Sequence, residues 1–381
     1  MPRITVLGTG RVGGAIARDL AADPGHAVRV ADRSAAALAE VAAAAPVATV
    51  EADLADPGEV TRLARDADLV VGALPSALGF AALGAVIEAG RPYVDISFFE
   101  EDPFALDAAA REAGTTAVVD CGLAPGLGNL LLGFEAARLD EVTSFLCQVG
   151  GLPVEREPPW EYRAPFAPRD VIAEYTRPAR RVAGGRQVTV EALSGRREVE
   201  VEGVGTLEAF DTDGLRTLLA TLPIPEMREQ TLRYPGHAEK IRLLRDSGFF
   251  AAEPVVAGEG VSVAPLELTT RLLARQWRLQ PGAADLAVLR LEIEGRRDGR
   301  SERVVYELLD RYDPESGLTA MARTTGFTCT AVARRLLAGE FARPGVSAPE
   351  QVGAVPGCCE AVLADLARRG VRVRRAVEPG G

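Results

Sequence analysis

Short apolar runs alternate with amphipathic stretches through the first part of the chain. The apolar runs are typical of buried strands, and the stretches between them carry apolar residues at helical spacing, as in Arg11–Ala22. Strands that are apolar throughout and are joined by helices indicate a parallel sheet covered on both faces, so we predict a doubly wound α/β domain here. The predicted strands are Ile4–Gly8, Val28–Ala31, Val47–Val50, Asp68–Leu74, Tyr93–Ile96 and Thr116–Cys121.

The pattern changes after about Gly126, where apolar residues begin to alternate with charged ones. The pair Asp298-Gly299 between two such segments suits the tight turn of a β-hairpin. This part of the chain is therefore predicted to be an α+β domain on a largely antiparallel sheet. Its predicted strands are Val142–Val149, the segment around Val199 and Val201, Ala287–Glu294, Glu302–Tyr312 and Leu318–Ala322, and its predicted helices are Thr325–Ala338 and Pro356–Arg369.

A glycine-rich turn follows the first predicted strand and opens the first helix. In Gly8-Thr9-Gly10-Arg11-Val12-Gly13, the first glycine permits the tight turn, the second lets a pyrophosphate approach the backbone, and the third allows helix and strand to pack closely. The N–H groups at the start of the helix attract phosphate. Strand, glycines and helix occur in the required order, so Gly8, Gly10, Arg11, Val12 and Gly13 are predicted to bind a dinucleotide.

Acidic and basic residues after the second and third strands bear on the choice of dinucleotide. Asp32 ends the second strand, where a carboxylate accepts hydrogen bonds from ribose hydroxyls and repels a 2′-phosphate, which favours NAD. Arg33 could instead pair with that phosphate, so NADP stays an alternative. Asp53 is predicted to accept from the adenine amino group, although a solvated loop acid would fit its position equally well.

Further cofactor-binding residues are expected after the fourth and fifth strands. Open α/β sheets bind ligands at the carboxyl ends of their strands. We therefore expect the segments Ala73–Ser76 and Asp95–Ser97 on the nicotinamide side, with Ala73, Leu74, Pro75 and Ser97 as cofactor-binding residues. Asp120 ends the sixth strand and would face the same crevice, either as a catalytic carboxylate or as the cap of the next helix.

Composition excludes several classes of protein. The 381 residues are 47% hydrophobic with a net charge of −11, which describes a globular protein with room for two domains and disfavours nucleic acid and anionic membranes as partners. The uncharged stretch Leu69–Ile87 contains Pro75 and several glycines, so it is predicted to be strand, loop and helix and not a membrane span. Five unevenly spaced cysteines favour neither disulfides nor a metal site, and a cytoplasmic location is expected.

Lysine and histidine are rare and occur close together. Of the 43 cationic residues only Lys240 is a lysine, and one of the two histidines, His237, precedes it by three positions. Unlike arginine, these side chains can lose a proton near neutral pH, as acid–base catalysis requires. His237, Lys240 and Asp120 are therefore the candidate catalytic residues. The alternative for Lys240 is an ion pair with an acid such as Glu239.

Several motifs together resemble the saccharopine dehydrogenase family, and its L-lysine ε-dehydrogenase branch in particular. The resemblance extends over nearly the whole chain. Besides the glycine-rich turn, the motifs are Asp120 with Gly122-Leu123-Ala124-Pro125-Gly126, Val149-Gly150-Gly151-Leu152-Pro153, Pro158-Pro159-Trp160-Glu161-Tyr162, Leu207-Glu208-Ala209-Phe210, Arg233-Tyr234-Pro235-Gly236-His237-Ala238-Glu239-Lys240 and Met321-Ala322-Arg323-Thr324-Thr325.

The resemblance implies a Rossmann domain with an inserted substrate domain and usually a homodimer. The implied boundaries are 1–125 for the Rossmann domain, 126–335 for the substrate and dimerisation domain, and 336–381 for a C-terminal segment that packs back on the Rossmann domain. Arg216 and Arg233 are candidates for binding a substrate carboxylate because a guanidinium matches its two oxygens. The remaining predicted substrate-binding residues are Tyr162, Phe166, Thr212 and Gly122.

The expected activity is NAD-dependent oxidation of the ε-carbon of L-lysine to a semialdehyde that cyclises. Some lysine enzymes of the family carry small residues where Leu215 and Arg216 stand here, so the substrate is less certain than the family. One alternative is a saccharopine-type reductase that forms or cleaves a secondary-amine C–N bond, with the arginines between Arg177 and Arg186 as a second anion site. Another is a non-catalytic NAD-binding regulator.

Overall fold

The computed structural model describes residues 1–164, 167–258, 260–280 and 282–380. The strands in chain order are β1 (Arg3–Leu7), β2 (Ala27–Asp32), β3 (Ala48–Glu51), β4 (Leu69–Gly72), β5 (Tyr93–Asp95), β6 (Thr116–Val118), β7 (Glu141–Pro153), β8 (Ala179–Ala183), β9 (Arg186–Val190), β10 (Arg197–Val201), β11 (Gly205–Asp211), β12 (Glu226–Arg233), β13 (Val255–Gly258), β14 (Val261–Val263), β15 (Asp285–Arg297), β16 (Arg300–Arg311), β17 (Gly345–Ser347) and β18 (Val373–Pro379).

Helices occur in both the first and the second part of the chain. A short 3-10 turn at Pro103–Leu106 precedes the fifth of them. The helices are α1 (Arg11–Ala21), α2 (Ala35–Ala44), α3 (Pro57–Arg65), α4 (Ser76–Glu88), α5 (Asp107–Glu112), α6 (Leu127–Ala136), α7 (Pro168–Thr176), α8 (Leu218–Thr221), α9 (His237–Asp246), α10 (Pro265–Gln276), α11 (Ala320–Leu337), α12 (Pro349–Gly353) and α13 (Cys358–Arg368).

The first compact unit contains residues 1–141 and 321–373 and is built on a parallel sheet. Its seven strands lie in the order β17-β6-β5-β4-β1-β2-β3, and every pair runs parallel. Strands β2 and β3 are added on one side of β1, and the chain then returns to add β4, β5 and β6 on the other side. The strand order therefore switches between β1 and β4, which is where open α/β sheets bind their ligands. The predicted doubly wound parallel sheet is confirmed. The edge strand β17 was not predicted, because three residues give too short a pattern.

The second unit contains residues 142–320 and 374–381 and is built on a mixed, largely antiparallel sheet. Its strand order is β10-β11-β12-β7-β15-β16-β18, with β8 attached to β12 and β9 attached to β8, and the pair β7 and β12 runs parallel. Arg297 pairs with Arg300, and Asp298 and Gly299 have φ of +51° and +73°, so the predicted hairpin turn is confirmed. The strand predicted over Leu318–Ala322 was wrong, because helix α11 begins at Ala320.

The unit boundaries differ from the domain limits expected from the sequence. The structure divides the chain after Glu141 and after Ala320, so α6 and most of α11 belong to the first unit. The C-terminal segment also divides, since residues from Arg374 onward belong to the second unit with β18. A pattern of strands and helices could not reveal these limits, because they depend on which distant elements pack together.

Helices α6 and α12 in the first unit meet at two glycines. A Cβ atom at Gly133 would lie 2.0 Å from the carbonyl oxygen of Glu350, and one at Gly353 would lie 1.9 Å from that of Leu130. Each helix therefore approaches the backbone of the other more closely than any side chain allows. This contact joins the C-terminal segment to the helix that follows β6.

We expect Gly353→Ala to destabilise the first unit, because the added methyl group would displace the α6 backbone. The expected loss is about 1–3 kcal/mol of unfolding free energy. Calorimetry would measure it, with tryptophan fluorescence as a separate report on the second unit, which contains both Trp160 and Trp277. Gly25→Ala is the matched control, since its Cβ would meet nothing within 4 Å. Equal stability of the two variants would contradict the expectation.

Candidate active site

The glycine-rich turn in the first unit has the geometry of a dinucleotide site. A Cβ at Gly13 would lie 2.2 Å from the Gly8 carbonyl oxygen, and one at Gly8 would lie 2.5 Å from that of Ala73. These two glycines are required by close backbone packing between β1, α1 and the end of β4. At Gly10 a Cβ would meet nothing within 4 Å, so the space a pyrophosphate needs is open. Arg11 and Val12 begin helix α1 directly beside it.

Asp32 is held by the backbone of two loops at the end of β2. Its Oδ2 accepts from the Thr9 N–H at 2.7 Å and its Oδ1 from the Ser34 N–H at 2.9 Å. Partial burial works to raise the pKa of Asp32, but these backbone donors outweigh it and hold the pKa below its ordinary value. The carboxylate is therefore ionised and fixed at neutral pH. Arg33 and Asp53 are both exposed, and Asp53 accepts from the Ala55 N–H.

The loops after β4 and β5 are joined by a buried hydrogen-bond chain. The Leu74 N–H donates to Ser97 Oγ at 3.2 Å, and Ser97 donates through Oγ at 2.7 Å and through N–H at 2.9 Å to Asp95 Oδ1. Burial raises the pKa of Asp95 to about 7, and the charge of Asp120 adds to the effect. Ala73, Leu74 and Ser97 thus lie together as predicted, and Pro75 is exposed beside them.

Asp120 and Gly122 lie in the tight loop that follows β6. Asp120 is buried and has a φ of +53°, an uncommon conformation for a residue other than glycine. The Gly122 N–H donates to the Pro125 carbonyl, and its Cα faces Thr325 of α11. Burial raises the pKa of the neighbouring Cys121 well above its ordinary value, so this thiol stays protonated and acts as packing.

His237 in the second unit is fully hydrogen-bonded. Its Nδ1 lies 3.1 Å from the carbonyl oxygen of Trp160, and its Nε2 lies 3.0 Å from the hydroxyl of Tyr175. Because a carbonyl oxygen can only accept, Nδ1 carries the proton of the neutral ring, and Nε2 accepts from the Tyr175 hydroxyl, whose oxygen accepts from Arg233 Nε. Burial, with a smaller contribution from Arg233, lowers the pKa of His237 to about 3, so the ring is neutral at neutral pH.

Arg233 is buried between an acid and two tyrosine rings. Its Nη2 donates to Glu174 at 3.1 Å, and its guanidinium lies 4.6 Å from the centre of the Tyr162 ring. Tyr162, Tyr175 and Trp277 pack edge to face around His237 and form the aromatic core of this unit. The positive charge of Arg233 is thus already paired, so a substrate carboxylate would compete with Glu174 for it.

A buried carboxyl group lies on the same face of the sheet as Arg233. Glu229, Thr231 and Arg233 alternate along β12 and therefore point to one side. Thr212 donates to Glu229 at 2.6 Å and lies 2.8 Å from the Thr231 hydroxyl. Burial raises the pKa of Glu229 to about 8, against the effect of its hydrogen bonds to Thr212 and to the backbone of Gly214.

Arg216 lies at the end of the turn that begins with Thr212. It is 9% exposed, and its φ is +51°. Lys240 is half-buried one turn into α9, and its positive charge contributes to the lowered pKa of His237. Among the described residues no ion pair joins Lys240 to Glu239 or to another acid. Phe166 lies outside the described residues.

The arginines between Arg177 and Arg186 do not form one exposed cluster. Arg180 makes a two-pronged contact with Asp213, at 2.8 Å for each pair of atoms, and a third bond from its N–H. Arg181 lies 3.8 Å from Asp211. These guanidinium groups already neutralise acids at the ends of β11.

Each unit therefore brings together only part of the predicted site. The first unit collects the glycine-rich turn, Asp32, the loops after β4 and β5, and Asp120. The second collects His237, Arg233, Tyr162 and Thr212 on or beside one face of β12. Sequence reasoning placed Asp95 on the nicotinamide side but missed Glu174, Glu229 and Trp277, because segment 226–233 was not recognised as a strand and buried acids have no local signature. In the described part of the chain, no cluster of His, Cys, Asp or Glu is suited to a metal ion, and no helix is long and apolar enough to cross a membrane.

Comparison with known proteins identifies the family. The saccharopine dehydrogenase NADP binding domain matches residues 4–118, and the saccharopine dehydrogenase C-terminal domain matches residues 122–371. The chain belongs to the saccharopine dehydrogenase family. The resemblance inferred from the motifs is thereby confirmed at the level of the family.

Two curated relatives show how far the similarity extends. Carboxynorspermidine synthase of Vibrio cholerae is 24% identical over 76% of this chain and 74% of its own length. Saccharopine dehydrogenase (NADP(+), L-glutamate-forming) of Schizosaccharomyces pombe is 21% identical over 99% of both chains. Apo saccharopine dehydrogenase (L-Glu forming) of Saccharomyces cerevisiae has the same fold, with a TM-score of 0.81 at 19% identity over 99% of this chain and 100% of its own.

This member of the saccharopine dehydrogenase family is an NAD(P)-dependent oxidoreductase, and the family acts on CH–NH groups of amino acids. The open space at Gly10, the close packing at Gly8 and Gly13 and the fixed carboxylate of Asp32 fit a dinucleotide. Membership of this family of oxidoreductases favours the enzyme over the alternative of a non-catalytic NAD-binding regulator.

We expect Glu229→Gln to flatten the pH dependence of the second unit's stability. The native pKa of Glu229 is raised, so its contribution is fully present below about pH 4.5 and is lost as the pH rises through about 8. Wild type should therefore lose on the order of a few kcal/mol more than the variant across that interval. Urea unfolding followed by tryptophan fluorescence would measure the difference. Parallel pH profiles for the two proteins would rule out a raised pKa at this residue.

Proposed function

We propose that the chain oxidises the ε-carbon of L-lysine with NAD⁺. R–CH₂–NH₃⁺, NAD⁺ and water would yield R–CHO, NH₄⁺, NADH and H⁺, and the aldehyde would then close on the α-amino group. NAD⁺ supplies the acceptor for the hydride. The single observation that carries the proposal is the row formed by Glu229, Thr212 and Thr231, because a buried carboxyl among hydroxyls suits an ammonium group better than a second carboxylate.

In this proposal the substrate is held by charge at both ends. Arg216 and Arg233 would bind the α-carboxylate and Tyr162 would line the aliphatic chain, while Phe166 and Gly122 stay candidates for substrate binding. An ammonium cannot release hydride from its carbon until it has lost a proton. Glu229 would receive the ammonium, and its raised pKa is close to the working pH of a general base.

His237, Lys240 and Asp120 stay candidates for proton handling. The lowered pKa of His237 and its bond to Tyr175 make it a weak base before substrate binds, so it would act only once that bond is exchanged. Lys240 stays a candidate through its place on the first turn of α9, three residues after His237. Asp120 belongs to the first unit, with the loops predicted for the nicotinamide.

The cofactor proposed is NAD, because the fixed charge of Asp32 opposes a 2′-phosphate. The exposed Arg33 keeps NADP as an alternative, and the family's matched domain is described as NADP-binding. We further propose a cytoplasmic homodimer with an amino acid as its small-molecule substrate.

The direct test mixes the pure protein with NAD⁺ or NADP⁺ and L-lysine, ornithine or saccharopine. We expect NADH formation and ammonia release with lysine. Absorbance at the NADH band and an ammonia assay measure the two products separately. NADH formation from saccharopine alone would assign the chain to the saccharopine-type reaction instead.

That second candidate function is favoured by the relatives. The names of the two curated relatives described above refer to carboxynorspermidine and to saccharopine, and both of these molecules are secondary amines. A saccharopine-type substrate carries more carboxylates and would need another anion site. Arg180 and Arg181 are engaged with Asp213 and Asp211, so they are poor candidates for it.

We expect His237→Ala to lower turnover about 100-fold, the usual contribution of a general base. Dinucleotide affinity should not change, because the glycine-rich turn lies in the other unit. Stopped-flow turnover and NADH titration measure the two effects. His26→Ala is the matched control, since it replaces the only other histidine.

His237→Gln separates proton transfer from packing. Glutamine can replace both hydrogen bonds of the imidazole but cannot act as a base. Wild-type turnover in His237→Gln, with the loss confined to His237→Ala, would mean that His237 supports the aromatic core and takes no proton.

A further inference from the structure

Asp95 links three loops at one edge of the parallel sheet. Its side chain accepts two bonds from Ser97, and Ser97 in turn accepts from the Leu74 N–H after β4. Its main-chain carbonyl accepts from the Cys121 N–H after β6 at 2.7 Å. The carboxyl ends of β4, β5 and β6 are thus tied to one residue, at the edge where open α/β sheets bind their ligands.

The second carboxyl oxygen of Asp95 forms no hydrogen bond of good geometry with a described residue, although the Tyr93 hydroxyl is close enough to favour ionisation of the carboxyl group. Asp95 is fully buried, and neither its Oδ2 nor the Tyr93 hydroxyl has a hydrogen-bond partner among the described residues. A Cβ at Gly72 would lie 2.0 Å from the Tyr93 hydroxyl and 2.5 Å from Asp95 Oδ1, so only glycine leaves room for this pair. An acid that accepts hydrogen bonds through only one oxygen can hold the neighbouring loops in place while its negative charge, once ionised, is only partly compensated.

The groups that act on Asp95 come from three neighbouring elements. Asp120, in the loop after β6, opposes its ionisation by like charge. Tyr93, on the same strand, favours ionisation of Asp95 through its hydroxyl, and Cys121 and Cys329 are buried thiols whose pKa values are raised and which stay neutral. No cation is among these groups.

We propose that Asp95 is a positioning residue of the cofactor site, whose ionised carboxylate makes the unit prefer the oxidised dinucleotide over the reduced one. The oxidised nicotinamide ring is a cation and the reduced ring is neutral. A buried carboxylate with no cation beside it attracts only the former, and low polarity strengthens the attraction. The inference depends on the dinucleotide site and holds whichever amine is the substrate.

Ser97 carries the positioning role. When Asp95 is ionised, the Ser97 O–H donates to it and the Ser97 oxygen keeps a lone pair for the Leu74 N–H. When Asp95 is protonated, its own O–H competes to donate to Ser97. The turn after β4 is therefore best held in the same state that favours the oxidised ring.

Ionisation of Asp95 occurs within an accessible pH range. Its pKa is raised to about 7 by burial and then by Asp120, so the carboxylate forms as the pH rises through neutrality. A bound cation stabilises the carboxylate, so by linkage the affinity for the oxidised dinucleotide rises over the same range.

The test measures dissociation constants of the whole protein for NAD⁺ and NADH between about pH 6 and about pH 8.5. NADH fluorescence and calorimetry supply the values, with NADP⁺ and NADPH measured alongside. We expect the ratio of the NAD⁺ constant to the NADH constant to fall about tenfold over this range. In Asp95→Asn the ratio should be independent of pH.

Three further variants separate charge from structure. Asp120→Asn should move the midpoint of the pH dependence to lower pH, because a like charge is removed. Ser97→Ala should weaken the binding of both forms of the cofactor and leave the pH dependence of the ratio of their dissociation constants unchanged. Glu59→Gln, which removes an exposed acid on α3, should match wild type.

Two outcomes would overturn the proposal. One is a wild-type ratio that does not change with pH, which decides the matter even if Asp95→Asn fails to fold. The other is an unchanged pH dependence in a folded Asp95→Asn protein. The binding measurements contain no amine, so their result can be interpreted even if the chain does not oxidise lysine.

Discussion

Burial of ionisable side chains is the constraint on which the arrangement of both units depends. Asp95 in the first unit and Glu229 and Arg233 in the second lie away from water, where an uncompensated charge is costly. Each is therefore surrounded by donors or by an opposite charge, with Ser97 beside Asp95 and Thr212 beside Glu229. Because Ser97 and Thr212 belong to loops at the ends of strands, each acid holds a loop against its own strand.

Close approach of backbone to backbone builds the frame around these acids. In the first unit Gly8 and Gly13 bring strand and helix together at the dinucleotide turn, and Gly72 leaves room for the pair formed by Tyr93 and Asp95. None of these contacts would survive a larger side chain. The same principle joins α6 to α12 and thereby decides that a distant C-terminal segment belongs to this unit.

The surroundings of His237 alter how its rarity should be interpreted. In the sequence it is one of two histidines and close to the one lysine, which suggests proton transfer. In the folded chain it is a neutral ring inside an aromatic core, held by Tyr175 and Trp160. The pKa of Glu229 lies closer to neutral pH than the pKa of His237. In the sequence, however, nothing distinguishes this glutamate from the many other acidic residues. Rarity in the sequence therefore suggests a region for the site and leaves the roles of its members open.

The sequence by itself determined the parallel sheet, the dinucleotide turn with Asp32, the Asp298-Gly299 hairpin and the family. These features are encoded locally, in periodicity and in short motifs whose backbone conformations admit few residues. Only the tertiary structure decided the unit boundaries, the edge strand β17 and the burial of Asp95 and Glu229. The physical reason is that burial and pairing depend on residues far apart in the chain, so a carboxyl group's pKa and partners are properties of the packed fold.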